Sequence, residues 1–301
     1  MSRKTVSTVI YPLLAALIWG TAFVSQRISS GHIGAFAFNG ARSIVGAGAL
    51  GLLILVRRRG AGRVERKAGE GRKLLIGGGL CGLCLAAAAN LQQLGIADTS
   101  AGKAGFITSL YIVLVPVLGL FVGKRISLRL WASVAIAVGG LYLLCVRGDF
   151  RLAASDFLIL LCAVMFAVHI LTIDYFIRWV DATELSCVQF LVAGIISWGI
   201  SFAVEQTTWP QIMACLGQIL YVGIFSSGVA YTLQNVAQKG ANPTVVSLIF
   251  SLESVFSVVA GVIILKEALT FREYLGCGLM MVAVVLSQIP FPKFGKKKMA
   301  P

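Results

Sequence analysis

Acidic residues and histidines are scarce in this chain. Twelve Asp and Glu stand against 26 Lys and Arg in 301 residues, and charged residues make up only 13%. A water-soluble domain carries roughly 25% charged residues, so a soluble core of this size would lack the polar surface to cover it. The two histidines, His32 and His169, leave little for metal or acid–base chemistry, and no Ser/His/Asp set or pair of carboxylates falls on neighbouring helix turns. A Gly-x-x-x-x-Gly-Lys phosphate loop is missing, which excludes ATP-driven transport by this chain alone. Seven cysteines lie in or beside apolar stretches. Cys81 and Cys84 form a C-x-x-C, but no second pair or His follows at metal spacing, so small buried hydrophobes are the expected role. No signal-peptide cleavage site is evident, and the first apolar stretch is longer than a signal core.

What the chain does have is apolar sequence. Hydrophobic residues make up 58% and mean hydropathy is +0.89. Ten apolar stretches fill the chain: Val6–Gln26, Ile33–Val56, Leu74–Ala97, Ala104–Val122, Leu130–Val146, Phe157–Ile177, Leu185–Val204, Gln211–Ala237, Pro243–Leu265 and Tyr274–Pro290. About 20 apolar residues span a bilayer as a helix, and lipid tolerates no unpaired backbone polar groups. The spacing therefore predicts an all-α integral membrane protein of ten transmembrane helices. The net charge of +14 does not indicate nucleic acid, because the charges sit between the stretches, mostly on alternate sides. With a cytoplasmic N-terminus, 19 Lys and Arg fall on the cytoplasmic side and six on the other. The positive-inside rule then places both termini in the cytoplasm. The basic loop 57–73 and the basic tail 291–301 read as topology determinants that touch anionic lipid.

The fourth and ninth stretches end alike, with Gly123-Lys124-Arg125 matching Leu265-Lys266-Glu267, and Tyr111 then falls on Glu253. The third and eighth also end alike, and Asn90, Gln92 and Gln93 pair with Tyr231, Gln234 and Asn235. The chain reads as two halves of five helices, residues 1–147 and 155–290. Five is odd, so the halves are inverted repeats, an arrangement common in secondary transporters.

Leu17-Ile18-Trp19-Gly20 through Phe23, Arg42, the run Thr99–Pro116, and Leu265-Lys266-Glu267 with Leu269, Thr270 and Gly276 carry a resemblance across essentially the whole chain. The sequence resembles the drug/metabolite transporter (DMT) superfamily, specifically its EamA-like family. It departs from that pattern at Val258, where the family often has Pro, and at Glu253 in mid-helix. The resemblance implies inverted five-helix repeats, a central cavity lined by the first four helices of each half, export of small organic metabolites such as amino acids, and no cofactor or nucleotide.

Charges in a membrane interior need a reason. Arg42 and Glu253 both lie near mid-depth and could pair across the halves, as a substrate anchor and gate or as a structural ion pair; Arg42 could also snorkel to the interface. His169 is a candidate for a coupling proton or a neutral hydrogen-bonded histidine. Asn90, Gln93, Tyr231 and Gln234 suit a polar substrate or interhelical hydrogen bonds. Trp19, Phe23, Phe106 and Tyr111 could wall a cavity or face lipid and other helices. Pro116 is a candidate hinge, followed by Gly119-x-x-x-Gly123 for close helix approach or tight packing. Trp131, Trp179 and Trp209 near helix ends read as interfacial anchors.

The leading expectation is a multi-pass cell-membrane transporter, in a bacterial inner membrane, whose partners are a small-molecule metabolite and the lipid bilayer, with a proton as candidate coupling ion. The competing expectation is a membrane-embedded lipid-modifying enzyme or a lipid or drug translocator. Substrate, flux direction and oligomeric state are left open by the sequence.

Overall fold

A computed structural model describes residues 6–61, 69–98, 101–146, 153–265 and 270–288. The described residues form helical rods joined by short turns: α1 (Val6–Ser29), α2 (Ala35–Ala61), α3 (Glu70–Ala97), α4 (Ala101–Ser109 and Tyr111–Phe121), α5 (Leu128–Cys145), α6 (Ala154–Phe176), α7 (Ala182–Val204), α8 (Trp209–Ala214, Leu216–Tyr221, Val222–Ala230 and Tyr231–Gln238), α9 (Pro243–Phe250 and Glu253–Leu265) and α10 (Phe271–Gln288). Rods α1–α4 and α6–α9 are long and apolar enough to cross a membrane. Rod α5 is apolar but shorter, and α10 carries Arg272 and Glu273 in its first turn.

The starts follow from local chemistry. Asp181 Oδ1 accepts from the Thr183 and Glu184 amides at 2.9 and 3.1 Å, capping α7. Asn242 does the same for α9 at Thr244, with Pro243 in the first helical position. Rod α2 has Gly34 where a cap would stand, and its cap comes from the other half. Glu205, just past the end of α7, accepts from the Phe36 and Ala37 amides at 3.0 and 2.9 Å.

The basic loop is shorter than expected. Rod α2 continues through Arg57–Arg59, and α3 begins at Glu70. Residues 62–68, Pro290 and the tail 291–301 lie outside the described residues.

Packing is mostly between the halves. Rod α1 packs on α9 and α8, α6 on α4 and α3, α3 on α7, α8 on α2, α2 on α7, and α5 on α10. That set of pairings is unchanged when each rod is exchanged for the one five places away. Glycines make the closest approaches. A methyl on Gly82 would lie 2.6 Å from Val192 Cβ and 2.8 Å from the Gln189 carbonyl; one on Gly223 would lie 2.8 Å from Val45 Cβ and 2.9 Å from the Arg42 carbonyl. Gly140 and Gly276 face each other, each needed by the other's backbone carbonyl at 2.9 and 2.7 Å. The expected Gly119–Gly123 contact is not of this kind. Gly119 faces only its neighbour Lys124, and Gly123 ends α4 with φ +76°, a conformation that suits glycine.

Four rods depart from straight α-helices, and the first of them, α1, opens with the five-residue π-helix Val6–Ile10. Rod α4 tightens at Leu110, where Leu110 N and Val113 N bond three residues back at 3.2 and 2.9 Å. Rod α9 does so at Ser251–Leu252, with Leu252 N and Ser254 N bonded three back at 3.1 and 3.2 Å. Pro116, the candidate hinge, sits inside the segment Tyr111–Phe121, and the interruption of α4 comes at Leu110. Rod α8 contains a nine-residue π-helix, Val222–Ala230.

Candidate functional site

The two tightened turns meet. Tyr111 and Glu253 are the first residues after them, and Tyr111 Oη donates to Glu253 Oε1 at 3.1 Å. Beside this pair, Ser109 and Ser254 share a hydrogen bond of 2.8 Å. One half thus touches the other through the interruptions of α4 and α9, near the middle of both rods. Glu253 opens a half-helix, where the positive end of the helix dipole favours a carboxylate.

A cavity with an empty volume of ≈ 520 Å³, mouth included, opens at this junction. It is lined by Trp19, Phe23 and Gln26 of α1, Arg42 of α2, Gln92 of α3, Thr108 and Tyr111 of α4, Phe166, His169 and Ile170 of α6, Ser226, Tyr231 and Gln234 of α8, and Phe250 and Glu253 of α9. Of the expected residues, the structure brings Trp19, Phe23, Arg42, Tyr111, His169, Tyr231, Gln234 and Glu253 to one place. Trp19 is edge-on to Tyr231 at 4.9 Å and to Phe250 at 5.0 Å, so one wall is a linked aromatic surface.

The charges are arranged differently from the expected pair. Among the described residues Arg42 and Glu253 make no ion pair with each other. Arg42 is 5% exposed and its Nε donates to Asn39 Oδ1 at 2.6 Å. Glu253, also 5% exposed, is held by the neutral Tyr111. An arginine and a glutamate side chain therefore line one cavity, each oriented by an uncharged partner. Burying a charge without an opposite charge is costly, several kcal/mol on general grounds.

Several polar atoms of the lining have no hydrogen-bond partner among the described residues: Trp19 Nε1, Gln26 Oε1, His169 Nδ1 and Gln234 Oε1. His169 Nε2 is bonded to Gln189 Oε1 at 3.1 Å and its ring lies 5.9 Å from Tyr231. Buried polar groups are normally satisfied, and these four unsatisfied atoms belong to residues that line the cavity.

Two expected lining residues lie elsewhere. Asn90 turns away from the cavity: it accepts from Asn39 Nδ2 at 2.9 Å and donates to Ser197 Oγ at 2.9 Å, tying α3 to α2 and α7. Gln93 donates to the Gln26 carbonyl at 3.1 Å, tying α3 to α1. The reason is helix periodicity, since Gln92 is the residue of this group whose face looks inward, where it donates to Thr108 at 3.3 Å. Phe106 packs against Tyr142 instead of lining the cavity. The matching across halves also shifts. Asn90 contacts Asn39 as Asn235 contacts Ser186, and Gln93 reaches the α1 backbone as Gln238 reaches Ile170. By these contacts Asn90 is placed like Asn235 and Gln93 like Gln238, one turn beyond the residues that the sequence comparison paired. The π-helix Val222–Ala230 lies in the stretch where the shift arises.

Sequence reasoning did not single out Gln26, Thr108, Phe166, Ile170, Ser226 or Phe250. Gln26 was legible as a polar residue near the end of an apolar helix; Phe166, Ile170 and Phe250 carry no signal that separates them from lipid-facing residues.

The long apolar helices define an integral membrane protein, and the cavity opens between them. The EamA-like transporter family model matches residues 6–146 and again residues 153–288, and the chain belongs to that family. It is similar to an uncharacterized transporter of Archaeoglobus fulgidus, 32% identical over 278 residues, 91% of this chain and 83% of that protein. It is similar to an uncharacterized transporter of Methanothermobacter thermautotrophicus, 23% identical over 200 residues, 64% of this chain and 58% of that one. Among solved structures, one described only as "Crystal structure of protein" shares the fold with TM-score 0.77 at 17% identity, covering 94% of this chain and 96% of that one.

Proposed function

We propose that this chain is a secondary transporter that exports small organic metabolites, amino acids among them, by alternating access. In this reading the ten rods all cross the membrane, residues 1–147 and 155–290 are inverted repeats, and both termini are cytoplasmic. Support for the repeats comes from the doubled family match and from packing that is preserved on exchanging the halves. The observation that carries the substrate reading is the cavity itself. Arg42 offers a guanidinium to a carboxylate, Glu253 offers a carboxylate to an amine, and Trp19, Tyr231 and Phe250 offer an apolar wall. The cavity lies between the halves, where rocking of one half against the other would expose it first to one side and then to the other. Glu253 and His169 are the titratable groups in the lining available to carry a coupling proton.

The test is efflux of a preloaded mixture of labelled amino acids from proteoliposomes, with and without a pH gradient, for the wild type and Glu253→Gln. Saturable, selective efflux is the expected result, with the gradient-driven part lost in Glu253→Gln. Absence of efflux for every amino acid under both conditions would remove the amino-acid reading and turn the search to drug and lipid substrates.

A further inference from the structure

The cavity cation does not stand alone; it ends a chain of hydrogen bonds. Asn39 lies one turn before Arg42 on α2 and is 1% exposed. Both of its amide protons are used, one to Asn90 Oδ1 at 2.9 Å and one to the Ala89 carbonyl at 3.0 Å. That fixes the amide's orientation: Nδ2 faces α3, so Oδ1 faces Arg42. A flipped amide would set two donors, Nδ2 and Arg42 Nε, against each other. Asn90 is fixed in turn by Ser197 on α7. The result is a directional series, Ser197 to Asn90 to Asn39 to Arg42, with every carbonyl oxygen on the Arg42 side. With Nε held at 2.6 Å, the two terminal nitrogens of the guanidinium are left for the cavity.

The second half supplies an internal control. By the glycine contacts, Gln189 of α7 stands where Arg42 stands on α2, and Ser186 stands where Asn39 stands. Asn235 donates to Ser186 Oγ at 2.8 Å, the reverse in direction of the bond by which Asn39 donates to Asn90. There the position bears no charge, the residue one turn earlier is a short hydroxyl, and Asn235 Oδ1 is left without a partner. The scaffold is present twice, but the complete acceptor chain occurs only where there is a guanidinium to aim.

Resting on the transporter reading above, we propose that Asn39 is the positioning residue for Arg42: it pins Nε so that the terminal N–H pair presents a fork to the carboxylate of the substrate. It does not touch the substrate itself. Asn39→Ser is the variant to use, because the same fold accepts serine at the equivalent position of the other half.

Two measurements test the proposal. The first needs no substrate. In protein labelled with 15N-arginine, the Arg42 Nε–H resonance, assigned by its loss in Arg42→Lys, is expected to shift and to exchange faster in Asn39→Ser while the other arginine resonances stay in place. An unmoved resonance overturns the proposal. The second is the concentration of the labelled amino-acid mixture that gives half-maximal efflux. It is expected to rise about tenfold in Asn39→Ser, the scale of one hydrogen bond to a charged group, and to change less than about twofold when the same substitution is made in Arg42→Met. Equal loss in both backgrounds would show a merely structural role and overturn it, as would a moved resonance with unchanged half-saturation. If the wild type carries no amino acid, the substrate reading has failed, and the resonance alone decides whether Asn39 positions Arg42.

Discussion

At the level of single residues, the cavity works by contrast between charge and surroundings. Arg42 and Glu253 are each buried, each held by a neutral partner, and not paired with each other among the described residues. Arginine's planar fork suits a carboxylate in a way that lysine's point charge does not. Arg42→Lys is expected to raise the half-saturating concentration for amino-acid efflux by about tenfold or more with the protein still folded, on the scale of a lost charge-assisted hydrogen bond. Equal half-saturation in the two proteins would show that Arg42 does not bind the substrate. The sequence was a good guide to the charged and aromatic members of this set, because a charge or a tryptophan in an apolar run is conspicuous. It was a poor guide to Asn90 and Gln93. Whether an amide faces a cavity or a neighbouring helix depends on a rotation of about 100° per residue, and helix boundaries read from hydropathy are too loose to set that phase.

Among the helices, close packing at glycines holds the two halves together. Gly140 and Gly276 bring the backbones of α5 and α10 so near that neither position has room for a side chain. Gly276→Leu is expected to lower the thermal midpoint in detergent by several degrees, the range for overpacking by about 1–3 kcal/mol. Gly48→Leu, at a position with no neighbouring atom within 4 Å, is expected to leave it unchanged. Equal midpoints for both variants would mean that α5 and α10 do not pack as described. The existence and order of the helices were legible because apolar stretches of membrane length have few alternative readings. The interruptions were not. Leu110, Ser251 and Leu252 carry neither Pro nor Gly, while Pro116, the conspicuous breaker, stays within an ordered helix. The π-helix in α8 was not legible either: Val222–Ala230 holds two serines and two glycines in an apolar run, which marks a weak helix without setting its type.

For the whole molecule, contacts between halves lie at both ends of the α2–α7 crossing and beside it. At one end Arg58 pairs with Glu184 at 2.5 Å; at the other, Glu205 caps α2. On the same side as the Arg58–Glu184 pair, Lys124 after α4 pairs with Asp174 of α6, which also meets Arg178 at 3.2 Å. In the proposed orientation, these two ion-pair groups lie at the cytoplasmic face. Asp174→Asn removes the carboxylate that holds Lys124 and is expected to increase reaction of a cavity cysteine, Ser226→Cys, with reagent from that face. An unchanged rate would show that the Lys124–Asp174 contact does not gate the cavity.

The central claim is that one cavity, lined by both halves, is open to each side of the membrane in turn. Its most direct test uses Ser226→Cys in an otherwise cysteine-free chain, with a membrane-impermeant maleimide applied to inside-out and to right-side-out vesicles. The account predicts modification from both sides, slowed on both by the amino-acid mixture. Modification from one side only, with or without the amino-acid mixture, would contradict it.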